Sequence, residues 1–147
     1  MTMASLSSET LHASCVAMDG RAILNSGRSG GGKSDLALRL IDRGAVLVSD
    51  DYTIVKRVAG RLLACAPQTI LGKIEVRGVG LVEMGTATDV PVALAVDLDR
   101  TVDRLPELHD PLGVCGIKVP VIGLSGLEPS APIKVELALR QFGLESA

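Results

Sequence analysis

The eight residues Gly27-Arg28-Ser29-Gly30-Gly31-Gly32-Lys33-Ser34 match the pattern G-x-x-x-x-G-K-[ST] at every fixed position. That pattern suits a phosphate. Glycines let the backbone curl so that successive N–H groups face inward toward phosphate oxygens, and a following helix adds its positive N-terminal end. Lys33 would reach the β- and γ-phosphates of ATP, and the Ser34 hydroxyl would bind Mg²⁺. Asp50 and Asp51 lie about one helix downstream, at the end of the apolar run Ala45–Ser49. One of these carboxylates could act on the metal, directly or through water, while the other takes the proton from an attacking hydroxyl. A solvated acidic turn is the plain alternative. The cradle upstream tips the balance toward chemistry. His12 is a lone histidine on an early strand, a position more often structural than catalytic. Arg77 and Arg104 are candidate charge stabilisers for a transferring phosphoryl group, and each could equally be a surface arginine.

These residues need elements to hold them. Leu11–Met18 reads as a strand, Asp19-Gly20 as a hairpin turn and Ala22–Asn25 as the returning strand, which runs into the glycine loop. From Ser34 to Arg43, residues Leu36, Ala37, Leu40 and Ile41 share one helical face, with Gly44 as C-cap. Ala45–Ser49 follows as a buried strand. The order strand, loop, helix, strand, carboxylates predicts a βαβ unit with a right-handed crossover. Its second strand, a parallel neighbour of the first, would deliver the two acids beside the γ-phosphate. Thr53–Val58 and Arg61–Ala64 flank an Ala59-Gly60 turn, and Val79–Met84 and Val90–Leu98 read as further strands. Pro106, Pro111 and Pro120 break up the region that follows. Pro132 opens a terminal helix over Ile133–Phe142.

Whole-chain properties narrow the class. The 147 residues suit one compact domain, expected here as a flexible stretch over residues 1–10 and a single domain over 11–147. Hydrophobic residues make up 47% and aromatics only 1%, so the core is aliphatic and stacking platforms for single-stranded nucleic acid are missing. A formal net charge of -2 offers no basic surface to a polyanion. Cys15, Cys65 and Cys115 are odd in number and lack CxxC spacing, which points to a reducing cytoplasm. No run reaches the roughly 20 apolar residues a membrane span needs, and the Ser-rich start is not a signal peptide. The expectation is a cytoplasmic protein with neither nucleic acid nor membrane as partner.

In this order the motifs resemble the catalytic domain of bacterial HPr kinase/phosphorylase. The resemblance rests on the loop with Asp35 after it, on Arg43-Gly44, on Ser49-Asp50-Asp51, and most strongly on Ile74-Glu75-Val76-Arg77-Gly78-Val79-Gly80-Leu81-Val82. Leu11-His12-Ala13, Asp103-Arg104-Leu105 and Ile117-Lys118-Val119-Pro120-Val121 fall in the same order. It implies an α/β P-loop-containing domain, β-rich with a mixed sheet and a Walker A helix, similar to phosphoenolpyruvate carboxykinases. It also implies transfer of phosphate from ATP to a serine of an HPr-like phosphocarrier protein of the sugar phosphotransferase system. In many members the phosphate is also removed, by phosphorolysis. Asp51 would be the base, completed by Lys33, His12 and Arg104; Ser34 and Glu75 would hold Mg²⁺ with Asp50 nearby. A homo-oligomer, hexameric in the family, is implied as well. Two features depart from the pattern. Only about ten residues precede His12, where the family carries a regulatory domain, and Ile122-Gly123-Leu124-Ser125 stands where the family has a basic Gly-Arg-Asn element tied to dephosphorylation. Two rival functions remain in view. A small-molecule P-loop kinase would want an arginine-rich lid, yet only Arg140 follows Arg104. A non-catalytic nucleotide sensor would have no need of Asp50, Asp51 and Glu75 together.

Overall fold

The computed structural model describes residues 7–28, 30, 32–102, 104 and 110–145. Its first half contains strands β1 (Ser8–Leu11), β2 (Ala13–Met18) and β3 (Arg21–Ser26), helix α1 (Lys33–Asp42), then β4 (Val46–Ser49), β5 (Thr53–Val58) and β6 (Arg61–Cys65). After them come β7 (Lys73–Val76), β8 (Gly80–Glu83), β9 (Val90–Asp97), β10 (Leu112–Val114), β11 (Ile117–Val119), β12 (Val121–Gly123) and helix α2 (Ala131–Phe142). An eight-stranded mixed sheet runs β1-β5-β6-β9-β3-β2-β4, with β12 also paired to β9. Only β3–β9 and β9–β12 pair in parallel within it. Hairpins β7–β8 and β10–β11 stand apart as two-stranded sheets.

Turn chemistry sets the registers. Asp19-Gly20, Ala59-Gly60 and Cys115-Gly116 all have positive φ at both positions, the twist that joins antiparallel strands without splaying them. The helical face expected for α1 is buried: Leu36, Ala37 and Leu40 pack with Val16, Ile23 and Leu94 of the sheet and with Val135 and Leu139 of α2. Burying each leucine is worth roughly 1.5–3 kcal/mol. The Asp35–Arg39 pair on the same helix, at 2.9 Å with Asp35 exposed and Arg39 partly buried, is worth about 0.3–0.5 kcal/mol as an i,i+4 pair. Packing holds α1. The opposite face of the sheet buries a second cluster, with Cys15, Leu24, Val55, Leu62, Val114 and Val119 among its members. Burial pushes the Cys15 thiol up, so it behaves as a core side chain. Among the described residues no helix is long and apolar enough to cross a membrane.

Three expectations are corrected. The strand over Leu11–Met18 is two strands, broken at His12, because β1 pairs with β5 while β2 pairs with β3 and β4. Ser8, Glu9 and Thr10, counted with the flexible start, lie in β1. The βαβ unit is also not a pair of neighbours. β4 runs in the same direction as β3, but β2 lies between them, antiparallel to both. The cause is occupancy: one edge of β3 takes its hairpin partner β2 and the other takes β9. The helix must therefore carry the chain across β2, and β4 still ends at the same end of the sheet as the loop.

The two helices are joined by charge as well as by packing. Arg43, the residue that caps α1, donates from Nε and Nη2 to the two carboxylate oxygens of Glu136 on α2, at 2.8 Å each. The hydrogen bonds from Arg43 hold the Glu136 carboxyl below its ordinary range against the opposing effect of burial. A carboxylate lowered in the folded state stabilises above its unfolded pKa, and that stability fades as pH falls through the folded value. Replacing Arg43 by alanine should therefore lower the melting temperature at neutral pH, and the gap to the wild type should close as pH drops below the carboxylate range. Thermal melts across pH 3–8 check this.

Candidate active site

The glycine loop is tethered at both ends before any ligand is considered. At its start, the Ser26 hydroxyl donates to the Val96 carbonyl (3.4 Å), and the Leu98 N–H donates back to the Ser26 carbonyl (2.9 Å). The Arg28 N–H donates to Asp99 Oδ2 at 3.0 Å. At its end, Gly32 sits at φ +94 as the N-cap of α1, and its carbonyl accepts the Leu36 N–H. A Cβ there would stand 3.2 Å from Leu127 Cδ2. Both the backbone angle and the close neighbour call for glycine. Lys33 is only 5% exposed, and its Nζ donates to the Gly27 and Arg28 carbonyls at 3.0 and 3.2 Å. The lysine thus braces the loop it belongs to. Ser29 and Gly31 lie outside the described residues.

Asp50 and Asp51 are neighbours with opposite environments. Asp50 is 7% exposed. Its Oδ1 accepts the Ser34 hydroxyl at 2.6 Å and the Ser14 hydroxyl at 3.1 Å, and its Oδ2 accepts the Glu75 N–H at 3.0 Å. Asp51 has a side chain 51% exposed, with Oδ1 at 2.9 Å from His12 Nε2 and 3.9 Å from Lys33 Nζ. The separation comes from a three-residue turn: Asp51 takes φ +65, and the Tyr52 N–H donates to the Asp50 carbonyl at 2.7 Å. Such a turn is strained for a non-glycine residue. The Ser14 hydroxyl accepts the Asp51 N–H (3.0 Å), and the Ser49 hydroxyl donates to the Tyr52 carbonyl. Tyr52 stacks on the His12 ring, with centroids 4.9 Å apart and planes at 21°.

These groups border one cleft of about 620 Å³, lined by Gly30, Gly32, Lys33, Ser34, Asp50, Asp51, Glu75 and Arg77 among others. Gly30, Gly32, Lys33 and Ser34 of the predicted loop thus meet Asp50, Asp51 and Glu75 at one place, while Gly27 and Arg28 are not among the lining residues. His12 joins them through Asp51, and Arg77 reaches the cleft wall from the turn between β7 and β8. Arg104 is exposed, after β9, and does not line the cleft. Ser14, Tyr52 and Leu127 are site residues that sequence reasoning missed. A buried serine within an otherwise apolar strand was the one available signal, for Ser14; nothing local distinguishes Leu127.

Ser34, Asp50 and Glu75 offer a hydroxyl and two carboxylates around the same cleft. Among the described residues no cluster of three His, Cys, Asp or Glu could cage a metal by itself. Oxygen donors in small number suit Mg²⁺, which keeps waters and takes one or two carboxylates plus phosphate oxygens. The residues fit.

Comparison with known proteins shows the family to which the fold belongs. The family profile described as HPr Serine kinase C-terminal domain matches residues 4–131. The HPr kinase/phosphorylase of Alkaliphilus metalliredigens (strain QYMF) is 34% identical over 131 residues, covering 85% of this chain and 42% of that protein. The HPr kinase/phosphorylase of Clostridium beijerinckii is 32% identical over 131 residues, covering 84% of this chain and 43% of that protein. The chain therefore spans less than half the length of these curated relatives. Among solved structures, the HPr(Ser) kinase/phosphatase from Coxiella burnetii matches with a TM-score of 0.79 and 28% identity, covering 90% of this chain and 95% of that one.

The loop geometry yields a direct test. Gly32→Ala places a Cβ at a left-handed backbone position, a cost of about 1–2 kcal/mol, and against Leu127. Thermal denaturation should show a clear loss of stability, with the added change Leu127→Ala recovering only the steric part.

Proposed function

The chain belongs to the family of HPr serine kinase C-terminal domains, and on that premise we propose that it is an ATP-dependent protein serine kinase acting on an HPr-like phosphocarrier protein. One observation carries the reading: a buried, fully engaged Asp50 beside an exposed Asp51 whose Oδ1 lies 3.9 Å from the phosphate-loop lysine. A sensor needs no such exposed base.

In this mechanism the phosphates of ATP lie along the amides of the loop and the first turn of α1, where N–H groups and the helix end favour negative charge. Lys33 turns its ammonium from the loop carbonyls toward the phosphates. The acceptor serine enters beside Asp51, which takes its hydroxyl proton on Oδ2 while His12 holds Oδ1. The serine oxygen bonds to the γ-phosphorus, the bond from that phosphorus to the β,γ-bridging oxygen breaks, and ADP leaves with the electron pair. Ser34 and Glu75, with Asp50 nearby, would hold Mg²⁺, which would help to neutralise the transferring charge. Positioning and electrostatics do most of this work. Arg77 adds charge from the cleft wall, and Arg104 is assigned the same role from the segment after β9.

Phosphorylation is the favoured direction. Ile122 and Leu124, in the segment where the family carries basic residues, are buried in the core, so that segment presents no cation to an incoming inorganic phosphate. In reverse, Asp51 would return its proton to the serine oxygen. The same reading takes a cytoplasmic homo-oligomer, hexameric as in the family, as the working assembly.

Purified protein given ATP, Mg²⁺ and an HPr-like protein should produce phosphoserine, whereas a panel of small alcohols should stay unphosphorylated. Asp51→Asn should reduce transfer by about 10²–10⁴-fold, the range for loss of a general base, and Lys33→Ala by about 10²–10³-fold, the range for loss of one charge stabiliser. Asp51→Asn should still bind ATP. Near-normal phosphorylation by that variant would show that Asp51 is not the base.

A further inference from the structure

The cleft over the N-terminus of α1 has two walls, and the turn of the helix sets them apart. Successive helical residues are about 100° apart around the axis, so Ser34 and Leu38 share one side while Gly32, Asp35 and Arg39 share the next. The first side meets the acids: the Ser34 hydroxyl donates to Asp50, whose other oxygen accepts the Glu75 N–H of β7. The second side meets the segment between β12 and α2. Arg39 donates to the Gly126 and Glu128 carbonyls. Between them Leu127 stands over Gly32, where an added Cβ would lie 3.2 Å from Leu127 Cδ2.

Leu127 lines the cleft and is 72% exposed. Leu38 and Val76 line it too, but both are partly buried against the core. A lone exposed leucine is ordinary on a protein surface. This one is held in place. Besides the two bonds from Arg39, the Glu128 N–H donates to the Ser125 carbonyl at 3.3 Å, and Lys134 Nζ donates to the Glu128 carboxylate at 2.8 Å. An apolar side chain on so tethered a backbone loses little freedom when a ligand covers it.

The acids give the nucleotide its direction. With the γ-phosphate facing Asp51, which lies 3.9 Å from Lys33 Nζ, the remaining phosphates follow the loop amides. The nucleoside then leaves on the side away from the carboxylates, which is the Leu127 wall. Asp35, the charged residue on that wall, is already paired with Arg39 at 2.9 Å. We propose that Leu127 is a specificity-determining residue for the nucleoside of ATP, its side chain packing on one face of the purine ring. The assignment rests on the ATP-binding reading above and adds to it a contact for the part of the nucleotide beyond its phosphates.

The test compares Leu127→Ala and Leu127→Met by calorimetric titration in Mg²⁺, with either a non-hydrolysable ATP analogue or inorganic tripolyphosphate. Leu127→Ala should bind the analogue about 5–10-fold more weakly, the scale of the apolar area that the shortened side chain withdraws from one ring face. It should bind tripolyphosphate as the wild type does. Leu127→Met keeps the apolar reach and should bind both ligands within about twofold of the wild type. An equal loss for the two ligands would overturn the inference, because Leu127 would then only prop Gly32 and the loop. Unchanged analogue binding by Leu127→Ala would overturn it too; if transfer to the HPr-like protein alone slowed, the leucine would belong to the acceptor's contact. A wild type that holds tripolyphosphate as tightly as the analogue has no nucleoside contact to lose, and this inference falls while the phosphate loop stands. A wild type that binds neither overturns the ATP-binding reading, and this one with it.

Discussion

Three donors converge on the carboxylate of Asp50: the Ser14 hydroxyl from β2, the Ser34 hydroxyl from the first turn of α1, and the Glu75 amide from β7. A buried carboxylate left without such partners would be costly, so the charge at the tip of β4 forces the three elements together. Hydrogen bonds to a charged acceptor are shorter and about twice as strong as neutral ones, and the 2.6 Å contact from Ser34 has that character. The floor of the cleft is this junction. It fixes the start of the loop helix against the sheet, and it brings the β7–β8 hairpin, with Glu75 and Arg77, up to the cleft wall.

What the junction leaves free matters as much. Consecutive residues of a strand point to opposite faces, and continued strand geometry would have sent Asp51 away from the loop. The left-handed turn at Asp51 instead keeps both acids at the same end of the sheet while giving one to the interior and the other to solvent. Strained backbone of this kind persists where the surroundings over-determine it. Here Ser14 holds the Asp51 N–H, Ser49 holds the Tyr52 carbonyl, and His12, stacked on Tyr52, holds the Asp51 side chain. The break between β1 and β2 has a use in this setting, since it places His12 outside both strands and beside the acid.

The parts that sequence made legible are those whose constraint is local. The loop pattern from Gly27 to Ser34 states a backbone requirement residue by residue, Asp19-Gly20 and Ala59-Gly60 state turn angles, and the spacing of Leu36, Ala37 and Leu40 states a buried helical face. The order of strands was not legible, because it depends on which edges are free. β9, some seventy residues beyond β3, occupies the edge that a simple βαβ unit would have used. Glu75 entered only through the resemblance of its motif, and the structure shows why: its contact to Asp50 is made by a backbone amide, which any residue carries. Ser14 is buried by pairings that span β2, β3 and β4, so its contact with Asp50 follows from tertiary placement alone.

The proposed chemistry depends on a division of labour between the two adjacent acids, Asp50 buried and Asp51 exposed. A crystal structure of the protein with Mg²⁺ and a non-hydrolysable ATP analogue tests it most directly. The γ-phosphate should lie within hydrogen-bonding reach of Lys33 Nζ, with Asp51 facing it across the space an acceptor hydroxyl would fill and Asp50 still buried beneath. A nucleotide bound away from the loop, or a γ-phosphate faced by Asp50 with Asp51 turned to solvent, would contradict it.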